Sequence, residues 1–193
     1  MQDFIRSMEI FKAIDSKMMD DLLQFLQRVE VKKGSYLLKK NDSMNKIYII
    51  EKGLIASYGI LRGQKMFTSF RKEEEIIIYH NSLFYECRSD QFYVAIEDSV
   101  IYTLDRTLVA RLVVEYRAMG TIFYGLILKS SNLLLQDHIN MLRVIDRTQR
   151  YRKFIETNAD IAKRIPTKYI ASFLDTSFEY LIRIKKALAR KLK

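Results

Sequence analysis

The chain has 193 residues, 49% of them apolar, which is enough to bury a sizeable core and excludes global disorder. Its net charge of +10 is unevenly placed: residues 141–193 hold fourteen Lys and Arg against five Asp and Glu, while the other 140 hold nineteen against eighteen. A localised cationic excess implies a localised polyanionic partner, and a single cysteine, Cys87, excludes an internal disulfide, an iron–sulfur cluster and a thiolate zinc site. The N-terminus MQDFIRSMEIFKAID has no uninterrupted apolar stretch of signal-peptide length, and no segment approaches the roughly 20 apolar residues that span a bilayer. The expectation is a cytoplasmic protein with no membrane partner. Residues 3–27 mix acids and bases around Phe4, Ile5, Met8, Ile10, Phe11, Leu22, Leu23, Phe25 and Leu26, the pattern of amphipathic helical pieces.

From about residue 28 to 105 the pattern changes to short runs rich in Ile, Val, Tyr and Phe: VEVKKG, SYLLKK, KIYIIEKG, LIASYGILRG, QKMFTSFR, EIIIYH, QFYVAIED and SVIYTLD. Such spacing predicts an antiparallel barrel or jelly roll, with Gly34, Gly53, Gly59 and Gly63 at its turns. The acidic run Glu73, Glu74, Glu75 reads as a solvated turn between strands. After Asp105, a plausible N-cap, the signal is helical: a short helix over 106–117, then a longer one from about Thr121 to Asp146. In the longer helix Ile127, Leu134 and Met141 recur every seven residues, as do Leu128, Leu135 and Leu142. Its apolar positions exceed one helical face, so it is either a dimerisation helix pressed on its own barrel and on a symmetry mate, or the central helix of a monomeric bundle.

The last stretch reads as two short helices joined by a tight turn. Pro166 suits a first helical turn, and Tyr169, Ile170, Phe173 and Leu174 form an apolar face that ends at Asp175. Thr176 and Ser177 are placed to cap a second helix, in which Leu181, Ile184 and Leu188 point inward and Glu179, Arg183, Lys186 and Arg190 outward. This is the geometry that places a recognition helix in the major groove, or else a solvated helical hairpin.

These motifs together resemble the Crp/Fnr family of bacterial transcription regulators over the whole chain. The resemblance implies an α+β fold: N-terminal helices and an antiparallel, jelly-roll, cyclic-nucleotide-binding-like β-roll over 1–117, a dimerisation helix over 118–146 and an all-α helix-turn-helix domain over 147–193. It implies base reading by Glu179 and Arg183, since a carboxylate accepts from cytosine N4 and Arg forks onto guanine. Lys168, Ser177 and Lys186 are the candidates for phosphate contacts. Two positions depart from the family pattern: Asp175 stands at the turn glycine, and Ile182 where a small residue lets the helix approach DNA closely. No strand pattern follows the second helix, so no wing hairpin is expected.

In family members that bind cyclic nucleotides, a Gly-Glu pair and an Arg-Ser/Thr-Ala triplet hold the ribose and phosphate. Here IIIYHNSLFYECRSDQFYVAIEDS has no Gly-Glu, and Arg88-Ser89 is followed by Asp90, whose charge repels a phosphate. Cyclic AMP is therefore not the expected effector, and Tyr85, Arg88 and Tyr93 are the effector-pocket candidates for another ligand. His80 and His138, the only histidines, fall on different elements, so no metal site, cofactor or catalytic group is expected and the protein is not read as an enzyme. Cys87 beside Arg88 is a candidate redox sensor. The expected partners are a palindromic double-stranded operator, a second copy of the chain, a small-molecule effector and, for an activator, RNA polymerase. The alternative is a ligand-binding signalling module whose helical tail binds protein rather than DNA.

Overall fold

The computed structural model describes residues 2–79, 87–128 and 146–191. The lead-in is helical: α1 (Gln2–Ser7), a 3-10 turn (Glu9–Phe11) and α2 (Ser16–Phe25), the last capped by Asp15, whose carboxylate accepts from the Met18 N–H at 2.9 Å. Eight strands follow, one in each run read from the sequence: β1 (Gln27–Val31), β2 (Tyr36–Leu38), β3 (Lys46–Lys52), β4 (Ile55–Leu61), β5 (Gln64–Arg71), β6 (Ile76–Ile77), β7 (Phe92–Ala95) and β8 (Ser99–Asp105). They form two four-stranded antiparallel sheets in the orders β1-β8-β3-β6 and β2-β7-β4-β5, the predicted roll.

Both faces of each sheet are covered, which is why strands such as KIYIIEK read as nearly continuous apolar runs rather than strict alternation. Between the sheets lie Leu38, Ile50, Ile55, Ile77, Tyr93, Ala95 and Ile101. Ile47, Ile49, Tyr102 and Leu104 face outward onto α1, α2, α3 (Arg106–Glu115) and α4 (helical over 117–128). Leu54, Ala56, Tyr58 and Phe67 face outward on the other sheet, where the C-terminal helices cover them. Asp105 caps α3 as expected, accepting from the Thr107 N–H at 3.0 Å. The chain breaks at Tyr116 and becomes helical again at residue 117, four residues earlier than predicted.

Turn chemistry agrees with the sequence at three of the four glycines. Arg62 (φ 50°) and Gly63 (φ 77°) form the two-residue turn joining β4 to β5, the left-handed pair that matches strand twist. Gly53 (φ 107°) lies so close to Ser99 that a Cβ would meet its backbone at 2.7 Å. Gly59 corrects the expectation: it sits inside β4, opposite Met66, not in a turn. Thr68 is the extra residue of a bulge, since Ser57 pairs with Ser69 and Tyr58 with Phe67.

Candidate nucleic-acid interface and effector site

Asp146 accepts from the Gln149 N–H at 2.9 Å and so starts α5 (Arg147–Thr157). After a turn-rich segment holding buried Ile161 and Ile165, Pro166 is the N-cap of α6 (Thr167–Phe173), one position before the first turn. That helix ends as a Schellman motif: the Thr176 N–H bonds the Ala171 carbonyl at 3.0 Å and the Asp175 N–H bonds that of Ser172 at 3.2 Å. Asp175 occupies the left-handed position (φ 51°) that normally takes glycine. The turn keeps its geometry despite the substitution. Ser177, not Thr176, caps α7 (Phe178–Lys191), its Oγ accepting from the Tyr180 N–H at 3.2 Å. The Thr176 hydroxyl is instead buried, with no hydrogen-bond partner among the described residues.

Leu181 and Ile184 are buried and Leu188 half-buried against the neighbouring helices, while Glu179, Arg183 and Lys186 are exposed on the opposite side of α7. Lys168 and Ser177 are also exposed, beside that face in the sequence of α6 and the turn. Arg183 is not free-swinging: its guanidinium lies 5.1 Å from the Tyr180 ring centre, and Arg147 of α5 lies 5.7 Å from the same ring. Tyr180 thus holds two cations that the sequence pattern leaves unconnected.

This helical unit is docked on the roll. β5 is a sheet edge, and Ser172 of α6 satisfies it by accepting from the Phe67 N–H (3.1 Å) and donating to the Lys65 carbonyl (2.7 Å). Tyr169 stacks on Phe67 at 4.1 Å, and Phe70 meets Phe173 edge-on at 5.4 Å. Arg164 forks onto two carboxylates of the roll: Glu73 at 2.7 and 3.0 Å, and Glu97 at 3.3 Å with a second, shorter bond. Those hydrogen bonds hold the guanidinium above its ordinary pKa. Lys72 pairs with Asp160 nearby, which raises the lysine and lowers the carboxyl. The acidic run is therefore not a solvated turn: Glu73 binds Arg164 and the Gly53 N–H (2.8 Å), Glu75 faces Arg71, and only Glu74 is exposed.

Inside the roll the apolar core gives way to a polar strip. The Ser57 hydroxyl is 2.7 Å from those of both Thr68 and Ser69, and Thr68 donates to Gln91 at 3.1 Å. Arg71 is buried, with Nη1 3.5 Å from Glu75. Burial raises the Glu75 carboxyl above its ordinary value despite that arginine. Tyr93 is 7% exposed, and burial pushes its hydroxyl up to about 12, with the charge of Arg71 acting in the opposite direction.

Residues 28–116, β1 to just beyond α3, match the family model of the cyclic nucleotide-binding domain. That stretch, which holds nearly the whole β-roll, is similar to a cyclic nucleotide-binding domain. No curated protein matches it by sequence. Among solved structures it is similar to a mutant of CooA from Carboxydothermus hydrogenoformans (TM-score 0.71, 18% identity, covering 95% of this chain and 84% of that one). It is also similar to FixK2 from Bradyrhizobium japonicum (0.72, 13%, 86% and 85%) and to the c-di-GMP responsive global regulator CLP of Xanthomonas campestris (0.73, 13%, 92% and 93%). At these identities the likeness is one of fold, and it bears out the expected α+β class, an antiparallel β-roll accompanied by several helices.

Within that domain the three effector candidates part company. Tyr93 lies in the interior, Arg88 is at the surface donating to the Asn41 carbonyl at 3.0 Å, and Tyr85 lies outside the described residues, as does His80. The neighbouring Asp90 accepts from the Tyr79 hydroxyl at 3.0 Å. The buried cation beside Tyr93 is Arg71, which sequence reasoning passed over as the end of a strand; its spacing of two from Ser69 was the available signal. Cys87 is exposed, and among the described residues no three His, Cys, Asp or Glu side chains gather as a metal site. No helix among them is long and apolar enough to cross a membrane.

Of the residues expected to form a dimer helix, Ile127 packs on the core between the roll and its covering helices, and Leu128 is 44% exposed. Leu134, Leu135, Met141 and Leu142 lie outside the described residues, as does His138. Met119, Phe123 and Leu126 fill the inward face of α4, while Ala118, Thr121, Tyr124 and Gly125 accompany Leu128 on the outward one.

Proposed function

We propose that this protein is a homodimeric, sequence-specific DNA-binding transcription regulator of the Crp/Fnr type, working in the cytoplasm and controlled by a signal at its roll. The observation that carries the proposal is the surface of α7, where Glu179, Arg183 and Lys186 stand exposed above a buried Leu181–Ile184 face, in the quarter of the chain that holds nearly all its net charge. Glu179 and Arg183 read bases; Lys168, Ser177 and Lys186 bind phosphates, Ser177 through the hydroxyl proton that its cap leaves available. The second copy packs on the outward face of α4, where Ala118, Thr121 and Gly125 permit close approach and Tyr124 and Leu128 supply apolar area. Two-fold symmetry then sets the half-sites of a palindromic operator about 34 Å apart.

The effector is a small molecule other than cyclic AMP, because Arg88 is turned to the surface and tied to Asn41, and the interior cation is Arg71 paired with Glu75. Its binding shifts the population of dimers whose recognition helices match the operator spacing. RNA polymerase is a partner if the protein activates.

Selecting duplexes from a random DNA pool tests the proposal. The expected winner is palindromic, with log affinity falling against log salt by about 0.9 per phosphate contact. Absence of an enriched motif, both alone and with cell extract as a source of effector, refutes it and favours a signalling module with a protein-binding tail.

A further inference from the structure

Phe178 is the first residue of α7 and is 47% exposed, and it belongs to none of the three apolar clusters formed by the described residues. One turn later, Ile182 is half-buried on the same flank. Residues four apart share a helix face, so Phe178 and Ile182 form an apolar stripe beside the charged stripe of Glu179 and Arg183. The N-terminal turns of a recognition helix meet base edges, and the major groove offers one apolar group among its donors and acceptors, the C5 methyl of thymine.

We infer that Phe178 and Ile182 are a second reading edge that recognises thymine methyl groups next to the base pair read by Glu179 and Arg183. This rests on the DNA-binding proposal above. The stripe's size and setting favour a duplex as occupant: two side chains fall far short of the roughly 800 Å² per partner of a stable protein interface, yet they suffice to cover a methyl. Arg183, Lys185 and Lys186 flank the stripe with positive charge, in a terminal quarter whose cations outnumber its anions fourteen to five. The bulk of Ile182 then has a use: it limits how closely the helix approaches the groove floor, and it still reaches a methyl that projects from that floor.

The test uses the full-length dimer and its selected operator, with each thymine of a half-site replaced in turn by deoxyuridine, which lacks only the methyl. Wild type is expected to lose about fourfold in affinity at one or two positions adjoining the pair read by Arg183. Phe178→Ala is expected to bind more weakly and to be indifferent to deoxyuridine at the same position, with its unfolding midpoint unchanged because the ring is half exposed. Phe178→Leu should keep part of the sensitivity, and Ile182→Ala should lose it at the neighbouring position. A wild-type protein indifferent to every methyl, or a Phe178→Ala variant as sensitive as wild type, overturns this inference and leaves DNA binding intact. Failure to select any duplex overturns both.

Discussion

Replacing Arg164 by alanine removes its four hydrogen bonds to the roll and leaves Glu73 and Glu97 without their shared cation. The side chains are 30%, 35% and 33% exposed, intermediate between a surface pair worth about 0–1 kcal/mol and a buried charge-assisted bond worth about 1.5–3 kcal/mol. About 1 kcal/mol per carboxylate gives a loss of about 2 kcal/mol, or about 4–8 °C in melting temperature for a chain of this size. Circular dichroism melts of wild type and Arg164→Ala from pH 7 to pH 3 measure it. Burial alone would raise the Glu73 carboxyl, but the Arg164 hydrogen bond, backbone N–H groups and the Arg164 charge together hold it below its ordinary value of 4.5. A lowered folded-state pKa means that the stabilisation is complete above that ordinary value and is lost as the pH falls through the lowered one. The gap between the two proteins should therefore be full at pH 7 and narrow below about pH 4. Midpoints that agree within about 1 °C at neutral pH, or a gap that persists unchanged to pH 3, would refute the assignment of Arg164 as an electrostatic tie between the two units.

Asp175→Gly should stabilise the protein by about 1 kcal/mol in urea unfolding, because it relieves a left-handed residue and removes a negative charge at the C-terminus of α6, offset in part by glycine's entropy; Asp175→Ala should not. Thr176→Val should add about 1 kcal/mol by deleting a buried hydroxyl that has no partner among the described residues. Leu128→Glu should convert a dimer to a monomer in analytical ultracentrifugation without lowering the melting temperature of the roll, since Leu128 is exposed on the subunit. Arg183→Ala should cost about 1–3 kcal/mol and relax preference at one base pair in competition binding, whereas Lys168→Ala should weaken all sequences alike and reduce the salt slope by about one.

Much of the architecture was legible because its signals are local. Eight apolar runs became eight strands, Asp105 announced α3 by capping a residue two positions away, and the Pro166–Ser177 segment carried its helix, stop and restart within about a dozen positions. Even the departure at Asp175 pointed to the residue that takes the left-handed turn. The interior polar strip was harder to see, since the bulge at Thr68 shifts the alternation and places Ser69 and Arg71 on the inner face.

The amino-acid sequence by itself determined the order and type of the elements and the concentration of charge in the last quarter of the chain, because propensity, capping and periodicity act between residues a few positions apart. Only the tertiary structure decided what those elements meet. Arg164 finds Glu73 across 91 residues and Ser172 finds the β5 edge across more than 100, while of the adjacent Ile127 and Leu128 the first packs on the core and the second is exposed. Such pairings follow from which faces bury one another when the chain closes, a property of shape and packing that no short stretch of sequence contains.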